Sequence, residues 1–164
     1  MNLFIPSPII ETSVQSLDDR RLIKMCLETA QLLSTAVRII DEDTTLPVYK
    51  LTHKNHPVAV WVRQTSGNYI YTLNYFKAIC DEYSYRFKKT HKSFSLYPIF
   101  VKFITSNEYI PLMDSSITPF ANCTDYKTDE VHTAYKKCLT NKWNNDKISP
   151  RWTKRNVPSF FTKG

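Results

Sequence analysis

The stretch LDDRRLIKMCLETAQLLSTAVR, residues 17–38, holds neither Gly nor Pro and repeats its apolar residues at helical intervals. Leu22, Met25 with Cys26, Leu32 with Leu33, Ala36 and Val37 form one continuous apolar stripe. Arg20, Lys24, Glu28 and Gln31 fall three or four residues apart on another flank, with Arg38 seven residues further on. Ser16, Asp18 and Asp19 supply a capping residue and first-turn acids for the positive end of the helix dipole. The spacing predicts a helix over about 17–39. One carboxylate, Glu28, stands inside a cationic row. The plainest account of it is a Lys24–Glu28 surface pair, worth a few tenths of a kcal/mol.

Around this helix the chain reads as all-α. Residues 1–10 form a short extended arm: Leu3, Phe4 and Ile5 are apolar, and Pro6 and Pro8 forbid a helix. Such an arm tucks into the core and holds the terminal amine in place. Residues 41–56 have no sustained period and read as a loop. Pro57 opens a helix over about 57–66, with Asn55 or His56 as its cap. Ser66-Gly67-Asn68 reads as a break before a second long helix, about 68–89, that packs along the first. Two further helices are expected over about 94–105, capped by Ser93 or Ser95, and about 129–143, opened by Thr128-Asp129-Glu130. Residues 106–127, with Pro111 and Pro119, read as loop, and 151–164 as an aromatic–basic tail. The expected architecture is a compact all-α single domain, 1–164, with extended arms at both ends.

Composition narrows the partners. Lys and Arg outnumber Asp and Glu by 22 to 15, a formal charge of +7, which favours a polyanion. Aromatics make up 13% of the chain, and ten of them are Tyr. Together they suit base stacking and phosphate contact better than a membrane surface. No run approaches a membrane span. The opening MNLFIPSPII lacks a basic region and is broken by proline, so it is not read as a signal peptide. Cys26, Cys80, Cys123 and Cys138 form no CxxC pair, which points to a reduced, cytoplasmic protein. The two glycines belong to no phosphate-binding loop.

Four constellations could carry chemistry. Arg20, Arg21, Lys24 and Gln31 can hold phosphates while Glu28 does acid–base work or stabilises a cationic sugar-like intermediate. In THKNHP, residues 52–57, His53 and His56 lie in a loop without a cysteine, so no metal is expected. His53, Lys54 and His56 serve instead as donors to a phosphate or base, with Arg63 nearby, or simply begin a capped helix with exposed imidazoles. Trp152, Lys154 and Arg155, with Phe160 and Phe161, either stack on bases or pack on the body. An amine nucleophile attacking a sugar C1′ must be unprotonated. An α-amino group titrates near about 7.7–8.0 and an unperturbed lysine near about 10.4, so the amino terminus is the better candidate.

These residues resemble a known family. LDDRRLIKMCLETAQLL is similar to the catalytic helix of the phage-type pyrimidine dimer DNA glycosylases, the endonuclease V family of T-even phages. NHPVAVWVR and the helix after it resemble the second half of that fold. A broader group of small phage proteins, with MNIF, DKHVVKM, THKNHP and WTKR-VP-F motifs, is more similar still. The matching residues here are 1–4, 19–36, 49–63 and 152–161. The resemblance implies an all-α domain with the amino terminus beside the central helix. It also implies attack by the terminal amine on C1′ of the damaged nucleotide, assisted by a helix glutamate. Carried over, the glutamate falls on Glu28 and a DNA-contacting position on Arg21. Asn follows the initiator, so the expected nucleophile is the amine of Met1 itself. The THKNHP block has no counterpart in the phage enzyme.

The resulting expectation is a DNA glycosylase and AP lyase acting on damaged or modified pyrimidines without a cofactor. Its nucleic-acid contacts are expected from Arg20, Arg21, Lys24, Gln31, His53, Lys54, His56, Arg63, Trp152, Lys154 and Arg155. The rival is a non-catalytic viral accessory or counter-defence protein that binds a nucleotide, nucleic acid or host protein on the same scaffold. A third possibility is an enzyme acting on a free modified nucleotide.

Overall fold

The computed structural model describes residues 1–106 and 114–164; Pro111 of the expected loop lies outside them. Among the described residues the chain forms helices and no strand: α1 (Ile10–Ser16), α2 (Asp19–Ile40), α3 (Pro57–Val62), α4 (Ser66–Phe87), a 3-10 turn (Lys92–Leu96), α5 (Tyr97–Thr105) and α6 (Val131–Asn145). The fold is all-α, as the periodicity predicted. No helix among the described residues is long and apolar enough to cross a membrane.

The apolar stripe of α2 is the inner wall of the core. Leu22, Met25, Cys26, Leu32, Leu33, Ala36 and Val37 are all buried. The second long helix, α4, packs along α2 and also against α1. Tyr69, Thr72, Leu73, Phe76, Ile79 and Cys80 of α4 are buried. α3 adds Val58, Ala59, Trp61 and Val62, and α5 adds Phe100 and Phe103.

The boundaries depart from the periodic reading where capping overrides it. A short helix, α1, forms where only an arm and an uncommitted connection were expected. α2 therefore begins at Asp19 rather than near 17, and Leu17 ends α1. Asp18 takes the N-cap position but makes no side-chain cap bond; its Oδ1 accepts from Arg21 and Trp143 instead. His56 caps α3, its Nδ1 accepting from Val58 N–H at 3.3 Å. α3 ends at Val62, shorter than expected. Ser66-Gly67-Asn68 is the first turn of α4, capped by the Thr65 hydroxyl at 3.0 Å from Asn68 N–H. The glycine is there for close approach, since the carbonyls of Ser115 and Ser116 occupy the space a Cβ would need. The expected 94–105 helix is divided into a 3-10 turn capped by His91 and then α5. α6 is capped by Glu130, whose carboxylate accepts from His132 and Thr133 N–H at 3.0 Å each.

The amino-terminal arm is inserted as expected. Leu3, Phe4 and Ile5 are 3%, 8% and 2% exposed. Phe4 O accepts from the Tyr75 hydroxyl of α4 at 2.9 Å. Ile5 O lies 2.7 Å from His132 Nδ1 of α6. The Tyr135 hydroxyl donates to Asn2 Oδ1 at 2.7 Å, and its ring meets Phe4 edge-on. Burial pushes both tyrosines well above their ordinary range, so each remains a donor. The residues that follow Met1 are thereby held by α4 and α6, and Met1 itself packs partly buried against the core.

Candidate active site

Clamping the arm places the first residue over the charged flank of α2. Met1, Asn2 and Phe4 from the arm, Arg20, Arg21, Lys24, Met25 and Glu28 from α2, and Lys142 and Asp146 from the end of α6 line one open pocket of roughly 360 Å³. That lies within the size range of small-ligand sites, about 300–1,000 Å³. Glu28 is the sheltered acid of this pocket, with its side chain 15% exposed against 70% for Lys24. The two touch only loosely, Lys24 Nζ to Glu28 Oε1 at 3.4 Å. A second carboxylate, Asp146, binds both arginines: Arg20 Nη2 at 2.7 Å, and Arg21 Nη1 and Nη2 at 2.8 and 3.2 Å. Arg21 also reaches the buried Asp18 at 2.9 Å. Arg21 is thus a nearly immobile wall, whereas Arg20 keeps 46% of its side chain exposed.

Of the residues singled out in the sequence, Met1, Glu28, Arg20, Arg21 and Lys24 therefore share one pocket. Gln31, His53, Lys54, His56 and Arg63 do not line it. Gln31 is half-buried about one turn beyond Glu28 on the same helix. The loop bearing His53, Lys54 and His56 is fastened to the C-terminal half of α2. Arg38 Nε and Nη2 donate to Tyr49 O and Val48 O at 2.7 and 3.0 Å. Thr35 and Thr52 exchange hydrogen bonds at 3.1 and 3.3 Å. Arg38 is therefore a staple for the loop and not an open cation. His53 adopts a left-handed backbone, φ 49°, with its Nδ1 2.7 Å from the Thr52 hydroxyl. His56 is held below its ordinary value by burial and then by the positive amino terminus and His53, with Glu28 pulling the other way. Its ring is within electrostatic reach of both the amine and the glutamate. Arg63 donates to Ala59 O at 2.8 Å, and burial lowers its affinity for its proton.

The tail lies elsewhere. Trp152 Nε1 donates to Ser16 O at 2.8 Å, and Trp143 stacks on Phe160 and meets Phe161 edge-on. Arg155 Nε and Nη2 donate to both oxygens of Glu82 at 2.9 and 2.7 Å. Lys154 Nζ donates to Tyr85 O at 3.0 Å. None of Trp152, Lys154 and Arg155 lines the Met1–Glu28 pocket. Among the described residues no group of His, Cys, Asp and Glu converges as a metal cage.

Sequence reasoning missed Lys142, Asp146, Asn2 and Phe4 as pocket residues. Lys142 lies in the last turn of α6, but Asp146 is its extended C-cap residue, three positions past the expected helix end at 143, so the periodic reading did not reach it. Asn2 and Phe4 carried no such signal, because only the inserted arm gives them an orientation. The family model for pyrimidine dimer DNA glycosylase matches residues 1–95, which hold the arm, α2, α3 and α4 but not α6. No curated protein and no solved structure matches the chain significantly.

Proposed function

The chain belongs to the pyrimidine dimer DNA glycosylase family, and on that premise we propose that it excises a damaged or modified pyrimidine from DNA with its own amino terminus as nucleophile. The observation that carries this reading is the meeting of Met1 and Glu28 in one cationic pocket. The lone pair of the Met1 nitrogen forms a bond to C1′ of the extruded nucleotide. The bond from C1′ to the base breaks, its electron pair leaves with the base, and the nitrogen sheds a proton. The C1′–O4′ bond then opens, O4′ takes a proton, and an iminium forms between C1′ and the chain.

Glu28, partly shielded from water by the arm, stabilises this positive charge. As a base it then removes a C2′ proton, and the electrons expel the 3′-phosphate. Water finally releases the sugar fragment and regenerates the amine. Arg20, Lys24 and Lys142 meet the phosphates on either side, while Arg21 fixes the wall on which they stand. His53, Lys54, His56 and Arg63, on the loop and helix beside the pocket, contact the flanking strand.

Borohydride reduction tests this directly, because hydride delivered to the C=N bond turns the adduct into a stable amine. With duplex DNA carrying an abasic site or irradiated pyrimidines, the expected product is a covalent complex whose mass maps to the first peptide. One extra residue ahead of Met1 should abolish it. Absence of any adduct, or an adduct indifferent to that extension, would falsify the amine mechanism. A wild-type chain without turnover, in which Glu28→Gln changes only affinity, would establish the binding protein instead.

A further inference from the structure

We propose that Asp146 is an internal stand-in for substrate phosphate: its carboxylate occupies Arg20 in the free protein and yields that guanidinium when a nucleic-acid phosphate arrives. The inference rests on the reading of this pocket as a DNA site.

The two arginines held by Asp146 are not equivalent. Arg21 is 13% exposed and makes two bonds to Asp146 and one to Asp18, a carboxylate with no exposure of its own. Asp18 is further fixed by Trp143 Nε1 at 2.8 Å. Arg20 has one carboxylate contact, at 2.7 Å, and a carbonyl contact to Ile148 at 3.2 Å, with nearly half its side chain in water. Exposed ion pairs of this kind are weak, while a guanidinium–phosphate pair is charge-assisted and can be two-pronged. Lys142 lies one turn before Asp146 and lines the same pocket; it has no ion pair among the described residues. An arriving phosphate therefore meets Lys142 and Lys24 first and then competes for Arg20, while Asp146 stays on Arg21.

Placement supports the exchange. Asp146 is the C-cap residue that follows α6, with extended backbone. The segment that follows is tied back to α2 through Arg151 O, which accepts from Asp19 N–H at 2.8 Å. The carboxylate thus lines the pocket, 20% exposed, on a short connection held by α6 on one side and by the Arg151 contact on the other. In the free protein it removes one cation from the anion site, so a ligand must bring enough other contacts to displace it. A phosphodiester strand does so, and a small lone anion does not.

The test is Asp146→Asn in the full chain, an isosteric change that removes the charge. Two probes are used: a labelled duplex oligonucleotide with an abasic site, read by fluorescence anisotropy across a salt series, and inorganic phosphate, read by calorimetry. The expected result is binding about two- to fivefold tighter for the duplex, the range open to an exposed pair. The slope of log K against log salt should stay as in wild type, because Arg20 meets the same phosphate in both proteins and only its competitor has lost its charge. Weaker or unchanged affinity, or a slope steeper by about 0.9, which would mean that Arg20 reaches phosphate only in the variant, overturns the proposal in a variant that melts like wild type. If the variant folds poorly, wild type decides: on titration with the duplex the Arg20 guanidinium resonances should move and those of Arg21 should not. No movement at Arg20 as the duplex binds overturns it. Tighter phosphate binding by the variant, with no duplex binding by either protein, would retain the inference and remove the DNA reading. Turnover on DNA, with both probes bound equally by the two proteins, would do the reverse.

Discussion

The charged flank of α2 and the tail 151–164 look alike on paper, each rich in Lys and Arg and each credible as a nucleic-acid contact. In the folded chain they are opposites. Two of the tail's cations are met by the protein itself: Arg155 grips Glu82 with two hydrogen bonds and lies 4.4 Å from the centre of the Tyr85 ring, Lys154 donates to Tyr85 O, and the tail's aromatics pack around Trp143. On α2, Lys24 has only a loose contact to Glu28, and Arg20, nearly half exposed, has a single carboxylate partner. Cationic character is therefore a poor guide to a site, whereas the answer to what already holds each cation is a good one. The tail acts as a clasp across α1, α4 and α6, and the α2 flank is left open toward solvent and the amino terminus.

The largest effect should come from the open region. Glu28→Gln keeps the size of the side chain and removes its charge and basicity. Single-turnover cleavage of abasic duplex should fall by about 10²- to 10⁴-fold, the usual contribution of a general acid or base. Duplex affinity, measured separately, should change by no more than a few-fold. An equal loss in both would place Glu28 in binding and dissolve the distinction between the regions from the catalytic side.

The next effect belongs to the closed region and is one of stability. Arg86 has a fully buried side chain and donates to Glu82, Leu17 O, Asp19 and Gln15 O. Arg86→Ala leaves the buried Glu82 with Arg155 alone, at a cost of about 3–5 kcal/mol. For a chain of this length the melting temperature should drop roughly 6–20 °C, with the turnover of the molecules still folded little changed. Acid should act at the same place. Burial pushes the Glu82 carboxyl up, but hydrogen bonds from Arg155 and Arg86 outweigh it and hold the group below its ordinary value. In acid the unfolded chain then binds the extra proton first. The contribution to stability is complete above about pH 4.3, the ordinary Glu range, and is lost as pH falls through the lower folded value. Denaturant midpoints measured down the acid range should show this loss in wild type and a smaller one in Arg155→Gln.

Much of this contrast could be read from the sequence, and part of it could not. The stripe of α2 and the insertion of Leu3, Phe4 and Ile5 follow from apolar spacing, because burial is the only stable outcome for such faces. The sharing of a pocket by residues 1 and 28 needed the family resemblance, since no local rule links an arm to a helix two turns in. Residues whose role depends on a distant partner were not legible. Arg38 looks like an open cation until the carbonyls of Val48 and Tyr49 are placed beside it. Arg155 looks like a phosphate ligand until Glu82, 73 positions away, is brought beneath it. Pairing across the fold decides these cases, and helical periodicity carries no information about it.

The smallest expected effect is the one that compares the two regions directly. Lys24→Ala and Lys154→Ala remove the same charge from the same protein, so any long-range electrostatic contribution to DNA binding is similar in both. Lys24 stands open to a phosphate, so its removal should reduce the slope of log K against log salt by about 0.9 and weaken duplex binding a few-fold. Lys154 donates to Tyr85 O and lies over that residue's ring, so its removal should leave the slope as in wild type and lower stability slightly. Equal slopes for the two variants would mean that DNA lies across the clasp as well as the pocket. Net charge would then govern affinity wherever it sits on the surface, and the contrast between an open and a closed cationic region would have no bearing on recognition.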